Sequence, residues 1–307
     1  MKRLASERFA GYLFILPNAL GFAVFTFLPV LACALLSFAE WDGIRPISDA
    51  RLVGLSNYVA TLGWHRENGA LVANDPRFWQ SLYNTVYLMG VIPVSIAGSL
   101  LLAVLMSSAL RGVTVYRAIY FLPVVVPFVA VCLLWKWILN PDYGLINATL
   151  ALLGIRGPAW LESVAWAKPG LMLMSLWIAV GGYNCVLYLA GLQNIPEELY
   201  EAAELDGANW WQRLRHVTWP QLAPTTFFIL TMALISGFQG GFTQAYLMTR
   251  GGPVGSTTTI TYYIFHQAFE VFRMGRAASI AGVLFVLVFG ATLLNWRYWR
   301  EARTVVS

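Results

Sequence analysis

Long apolar runs without a charge in their interior alternate with polar segments along the chain, covering residues 12–38, 82–110, 118–137, 169–193, 217–248 and 277–298. A helix needs about 18–20 mostly apolar residues to cross the hydrocarbon core of a bilayer. Each run reaches that length, the third only with Lys136 near its end, where a long side chain can carry its charge back to the interface. The pattern predicts an all-α integral membrane protein of six transmembrane helices in a single domain over 1–307. An even number of spans puts both termini on one side. The segment 40–81 is too polar to span and too long for a plain turn, so it is expected as an external loop.

Pro17, Pro29, Pro93, Pro123 and Pro127 lie within these runs, and each removes a helix hydrogen bond that a neighbour must replace. Bent helices are therefore expected. The first run follows Met-Lys-Arg and ends in a small residue like a secretion signal, but at 12–38 it far exceeds the roughly 7–15 apolar residues of such a signal. It is expected to stay as an anchor.

Orientation follows from basic residues in short segments next to the spans. Lys2, Arg3, Arg8, Arg111, Arg117, Arg213, Arg215, Arg297, Arg300 and Arg303 crowd the short segments of one side. Arg45, Arg51, Arg66, Arg77, Arg156, Arg250, Arg273 and Arg276 are spread over longer loops on the other. The density places both termini in the cytoplasm, although Arg273 and Arg276, just before the last span, run against it. Composition agrees with a membrane protein: 58% of residues are hydrophobic and 11% charged, against about 25% charged in soluble domains. The net charge of +5 forms no basic stripe with interleaved aromatics, which argues against nucleic acid. Cys33, Cys132 and Cys185 sit singly in apolar runs and suggest neither disulfides nor a metal site.

The span interiors hold no Asp, Glu, His, Lys or Arg, whereas ion-driven transporters commonly keep such groups at membrane depth. His65, His216 and His266 lie outside any HExxH or GxSxG pattern, and Lys2, Lys136 and Lys168 follow Met, Trp and Ala, so no Gly-Lys pair of a phosphate-binding loop exists. The chain reads as non-catalytic. Any ATP must be hydrolysed elsewhere.

The most charged segment, 196–220, lies between the fourth and fifth spans. Pro196 suits a first helical position, with Glu197 and Glu198 at the positive end of the helix dipole. Glu197, Glu201 and Glu204 share an acidic face opposite Leu199, Ala202 and Ala203. Gly207 permits a left-handed stop, Asn209 can cap a second helix with Trp210, Leu214 and Val217 on one side, and Pro220 leads into the fifth span.

Glu201-Ala202-Ala203, three residues, Gly207, nine residues, then Val217-Thr218-Trp219-Pro220 resembles the EAA loop of importer permeases in the ATP-binding-cassette superfamily, with Val217 and Trp219 in place of the usual Ile and Leu. VGLSNY from Val53, NPDYGLIN from Asn140, LAGLQNIPEELYEAAELDGA from Leu189 and MTRGGP from Met248 are similar to the carbohydrate-uptake branch that includes the maltose and glycerol-phosphate permeases, although Arg250 stands where relatives usually have Gly. The resemblance implies a type I importer permease fold and a sugar or sugar-like solute. It also implies a bacterial inner-membrane location, a second homologous permease and an extracytoplasmic solute-binding protein. Two ATPase subunits would carry the ATP and magnesium, with no cofactor on this chain. Glu197, Glu201, Ala202, Ala203, Glu204 and Gly207 would then form a coupling helix seated in an ATPase cleft.

For the solute path, Ser236, Gln239 and Thr243 recur at i, i+3 and i+7 on the fifth span, with Gln244 beside them. Trp177, Gly181 and Asn184 share a face of the fourth, and Asn84, Ser95 and Ser99 a face of the second. Such residues can hydrogen-bond and stack on a sugar, although they also hold membrane helices together. Two other classes remain: a secondary transporter, opposed by the uncharged span interiors, and a membrane scaffold, opposed by the fifth-span stripe.

Overall fold

A computed structural model describes residues 2–107 and 112–306, with side-chain surroundings for 9, 11–107 and 112–299. Arg111, the expected end of the second span at 108–110, and the side chains of Lys2, Arg3, Arg8, Arg300 and Arg303 lie outside that description. The chain packs as two compact units, 1–76 with 264–285 and 77–263 with 286–307.

In the first unit, α1 (Lys2–Phe22) runs through a π-helical turn at Ala23–Phe27 into α2 (Leu28–Leu36). Pro29 has no N–H to continue the ladder, and the Leu28 N–H before it reaches back to Ala23 O in a widened turn. The segment expected as an external loop, 40–81, carries strands and a helix of its own. β1 (Ala39–Glu40) pairs antiparallel with β2 (Arg51–Leu52), Ala39 facing Leu52, and α3 (Ser56–Leu62) follows. β3 (Trp64–Glu67) and β4 (Ala70–Ala73) form a hairpin whose two-residue turn, Asn68-Gly69, has φ of 51° and 83°. Both are positive, as a type I′ turn demands, and Asn-Gly is the pair that tolerates it best.

Asn57 Nδ2 donates to the carbonyls of Ser37 and Ala39, and the Tyr58 hydroxyl reaches Ser37 Oγ at 2.9 Å. Arg276 pairs with buried Asp75 at 2.7 Å. The charge of Arg276 is thus matched within its own unit.

In the second unit the helices begin earlier than hydropathy suggested, with α4 (Pro76–Met89) and α5 (Val91–Ser107). Next come α6 (Val113–Val125), α7 (Phe128–Ile138), α8 (Leu145–Leu152), α9 (Ala167–Val180) and α10 (Tyr183–Gln193). α11 (Glu197–Leu205), α12 (Trp210–Arg213) and α13 (Trp219–Gln221) form the charged loop. α14 (Ala223–Gln239) and α15 (Phe242–Gln244) follow, and α16 (Ile260–Phe265) and α17 (Met274–Val306) each have residues in both units.

Among the described residues, Gly11–Leu36, Pro76–Ser107, Ala167–Gln193 and Met274–Trp299 are each long and apolar enough to cross a bilayer. The third and fifth expected spans are bent pairs: α6 and α7 meet at 100°, and Trp210–Gln221 meets α14 at 67°. Six spans therefore result when each pair is taken as one. The sharper bend falls at Val126-Pro127, where Val126 is extended at ψ 134°, because a residue before proline is driven out of the helical region.

One core joins α5, α10 and α14 through Ile96, Leu100, Ala103, Tyr188, Leu222 and Ile229. A second gathers Val131, Trp135, Leu171, Met174 and Met248. Polar side chains tie helices across these cores: Tyr188 Oη donates to Thr226 at 3.1 Å and Ser99 Oγ to the Ala179 carbonyl at 3.1 Å.

Candidate functional site

The charged loop folds as a two-helix unit on local bonds. Pro196 stands at the N-cap rather than the first helical position, with ψ at 135°, and α11 starts at Glu197. Glu197 and Glu198 thus occupy its first turn. The helix ends in a Schellman motif: Ala208 N–H donates to Ala203 O at 2.9 Å and Gly207 N–H to Glu204 O at 3.0 Å, with Gly207 at φ +75°. Only glycine takes that φ without strain.

Asn209 then caps α12 in a full capping box, accepting from the Gln212 amide at 2.9 Å while its own N–H reaches Gln212 Oε1 at 2.8 Å. Glu204 and Arg213 form an ion pair across the glycine, and Tyr200 and Thr218 hydroxyls meet at 3.0 Å. Beyond α12 a π-helical turn at Leu214–Thr218 precedes Pro220, the same device as before Pro29. Glu197, Glu201, Ala202, Glu204 and Gly207 are exposed and Ala203 is half-buried. Leu205 is 90% exposed at the tip. An apolar tip beside three carboxylates is a surface suited to a partner protein.

The second feature is a cavity of about 1020 Å3 in the second unit, walled by α4, α5, α9, α10, α14 and the bend between α6 and α7. Of the expected path residues, Asn184 and Ser236 line it, as do Ser95 and Gln244; Asn84, Trp177, Gln239 and Thr243 are not among the lining residues. Two helix breaks account for the scatter. α14 ends at Gln239, and Gly240 (ψ −170°) with Gly241 (φ +85°) interrupts the run before α15, so Ser236, Gln239 and Thr243 do not form one stripe on one helix. Likewise Gly181-Gly182 separates Trp177 on α9 from Asn184 on α10, and Trp177 instead packs on Trp135 with ring centres 5.9 Å apart.

Asn84 is buried with all its bonding directed to protein. Sequence reasoning missed Thr85, Ser175, Tyr183 and Thr259, which also line the cavity, and Ser175 Oγ meets Gln244 Oε1 at 3.2 Å. The Gly-Gly pairs were the available signal, since paired glycines in an apolar run mark a helix interruption. Among the described residues no Asp, Glu, Lys, Arg or His lines the cavity; its polar surface is hydroxyl, amide and backbone.

Residues 95–306 match the family described as binding-protein-dependent transport system inner membrane component. The chain belongs to this family. It is 35% identical to the probable ABC transporter permease protein YesP of Bacillus subtilis (strain 168) over 97% of this chain and 94% of that one. It is 31% identical to the arabinooligosaccharides transport system permease protein AraP of the same organism, over 94% of this chain and 88% of that one. In fold it superimposes with a TM-score of 0.82 on a chain of the bacterial alginate ABC transporter solved in complex with alginate pentasaccharide-bound periplasmic protein. That match covers 98% of each chain at 21% identity. The permease is therefore a membrane-embedded transport component with the ABC importer permease fold.

Proposed function

We propose that the permease carries a neutral oligosaccharide through the cavity of its second unit, driven by ATPase subunits docked on α11. The observation that carries this reading is the cavity wall: a space of about 1020 Å3 lined by hydroxyls, amides and the aromatic rings of Tyr183 and Phe128, with no Asp, Glu, Lys, Arg or His among the described residues. Such a wall offers hydrogen bonds and stacking to a polyhydroxylated solute but no counter-ion to a uronate. Its volume stands at the top of the range of about 300–1,000 Å3 for small-molecule sites, which favours more than one sugar ring. The arabinooligosaccharide permease among its relatives supports the same solute class.

Coupling rests on Glu197, Glu201, Ala202, Ala203, Glu204 and Gly207, and the solute path on Asn184 and Ser236. Trp177, Gln239 and Thr243, off the cavity wall, fit helix packing better. The partners in this reading are a second permease of the same family, two ATPases holding ATP and magnesium, and an extracytoplasmic binding protein. Both termini lie in the cytoplasm of a bacterial inner membrane.

Reconstitution tests it: proteoliposomes carrying the permease with its partners should accumulate labelled neutral oligosaccharides with ATP and discriminate against uronates of equal length. Uptake by this chain alone under a proton or sodium gradient would overturn the ATP-driven reading.

A further inference from the structure

The segment from Arg250 to Thr259 ends at the cavity wall, which Thr259 lines, and carries left-handed backbone at four positions. Arg250, Gly251, Val254 and Gly255 take φ of 50°, 77°, 51° and 71°. Left-handed backbone at non-glycine residues persists where surrounding structure over-determines it. Within the segment, Thr257 Oγ1 donates to Gly252 O at 2.9 Å and Thr258 Oγ1 to Gly251 O at 3.2 Å, and α4 adds a restraint from outside. Gln80 Nε2 donates to Val254 O at 3.0 Å, Asn84 Nδ2 to Gly255 O at 2.8 Å and Thr258 O at 3.0 Å, and Thr85 Oγ1 accepts the Ile260 N–H at 2.9 Å.

Asn84 is itself oriented from α9. Lys168 Nζ donates to Asn84 Oδ1 at 3.2 Å and lies 4.7 and 4.8 Å from the ring centres of Tyr83 and Tyr87. An ammonium over two aromatic faces is held electrostatically. It also fixes which end of the Asn84 amide faces the loop, since the oxygen must turn to the donor.

The far end of the loop reaches the break in the fifth span. Thr259 and Thr261 hydroxyls meet at 3.1 Å, Thr261 donates to the Gly240 carbonyl at 2.9 Å, and a Cβ on Gly241 would come within 2.7 Å of the Thr259 methyl. Thr259, Gly240 and Gly241 all line the cavity. A continuous path therefore runs from Lys168 through Asn84 and the loop to the cavity wall.

We propose that Asn84 and Lys168 are positioning residues of the transport pathway, which clamp the 250–259 segment against α4 and thereby set the shape of the Gly240–Gly241 wall without touching solute. This rests on the cavity being the solute path. The test uses the complete transporter in proteoliposomes, with deuterium exchange over 250–262 and labelling of Ser236→Cys by an impermeant methanethiosulfonate.

Asn84→Asp and Asn84→Leu should each raise exchange of the segment about ten-fold, as loss of hydrogen bonds that close a local structure does. Lys168→Met should raise it less and change the Ser236→Cys labelling rate, and Lys168→Arg, which still donates to Asn84, should restore both. Wild-type protection of 250–262 in Asn84→Asp and Lys168→Met overturns the clamp, and so does an equal rise along α5, which would mean general loosening. If the leucine variant does not assemble, the Lys168 pair still decides. Ser236→Cys unreactive in the otherwise unaltered transporter would sink the solute-path reading alone, because exchange reads the clamp directly.

Discussion

Two connections in the second unit make opposite use of the chain. The loop from Glu197 to Gln221 is built on bonds between near neighbours: Ala208 to Ala203, Asn209 to Gln212, Glu204 to Arg213. The segment from Arg250 to Thr259 is anchored to α4 by bonds to residues 171 to 175 positions away. The first can keep its internal shape while its exposed face engages a partner. The second also has local bonds, Thr257 Oγ1 to the Gly252 carbonyl and Thr258 Oγ1 to the Gly251 carbonyl, but it is fastened to the helices beside it through Asn84, which Lys168 orients. In the proposed function the first would serve as a lever and the second as a rim of the solute path.

The largest expected effect falls on the lever. Gly207→Pro locks φ near −65° where +75° is required, so ATP-dependent uptake should fall to background while the protein still inserts in the membrane. Wild-type uptake would remove the coupling role of this turn. On the rim, Thr85→Val leaves the buried Ile260 N–H without its acceptor, a loss of about 1–3 kcal/mol. It should lower the thermal midpoint of the purified transporter, and an unshifted midpoint would mean that the long-range bonds do not carry the rim.

Asn209→Ala removes a capping box on the lever at a cost of about 1 kcal/mol. Exchange of the α12 amides should rise and that of 250–262 should not; a rise in both would show that the two connections are not independent. Smallest is the Asx turn at Asp42, whose carboxylate accepts the N–H groups of Arg45 and Ile44 and is held below the usual range by them, with the Arg45 charge adding to the effect. Since the folded-state pKa is depressed, the turn should be protected above the ordinary Asp value and lose protection as pH falls through the lowered one. Amide exchange at residues 44 and 45 between about pH 5 and 2 checks this; a pH-independent turn would remove that contribution.

The same contrast governs what could be read in advance. In the 196–220 segment, Glu197, Gly207, Asn209 and Pro220 each announce a cap or a stop through their own conformational preference, and the folded loop departs in shifting Pro196 to the N-cap and in ending α12 at Arg213, before a π-helical turn at Leu214–Thr218. The polar residues of the fourth and fifth spans misled because helical spacing was carried across Gly181-Gly182 and Gly240-Gly241, where no helix continues. Asn68-Gly69 announced a hairpin in the external segment that hydropathy alone passed over. Asn84 could not be assigned from the sequence, because its partners, Gly255, Thr258 and Lys168, are supplied by other elements.

By itself the sequence determined the long apolar stretches, the caps of the charged loop and the absence of Asp, Glu, His, Lys and Arg from the interiors of those stretches, because apolar length, cap chemistry and charge are properties of neighbouring residues. Only the tertiary structure decided that α6 meets α7 at 100° and that Trp210–Gln221 meets α14 at 67°, which polar side chains face the cavity, and that Arg276 is balanced by Asp75. Those outcomes depend on which distant groups meet, and hydrogen bonds, packing and ion pairs between distant elements have no counterpart in local spacing.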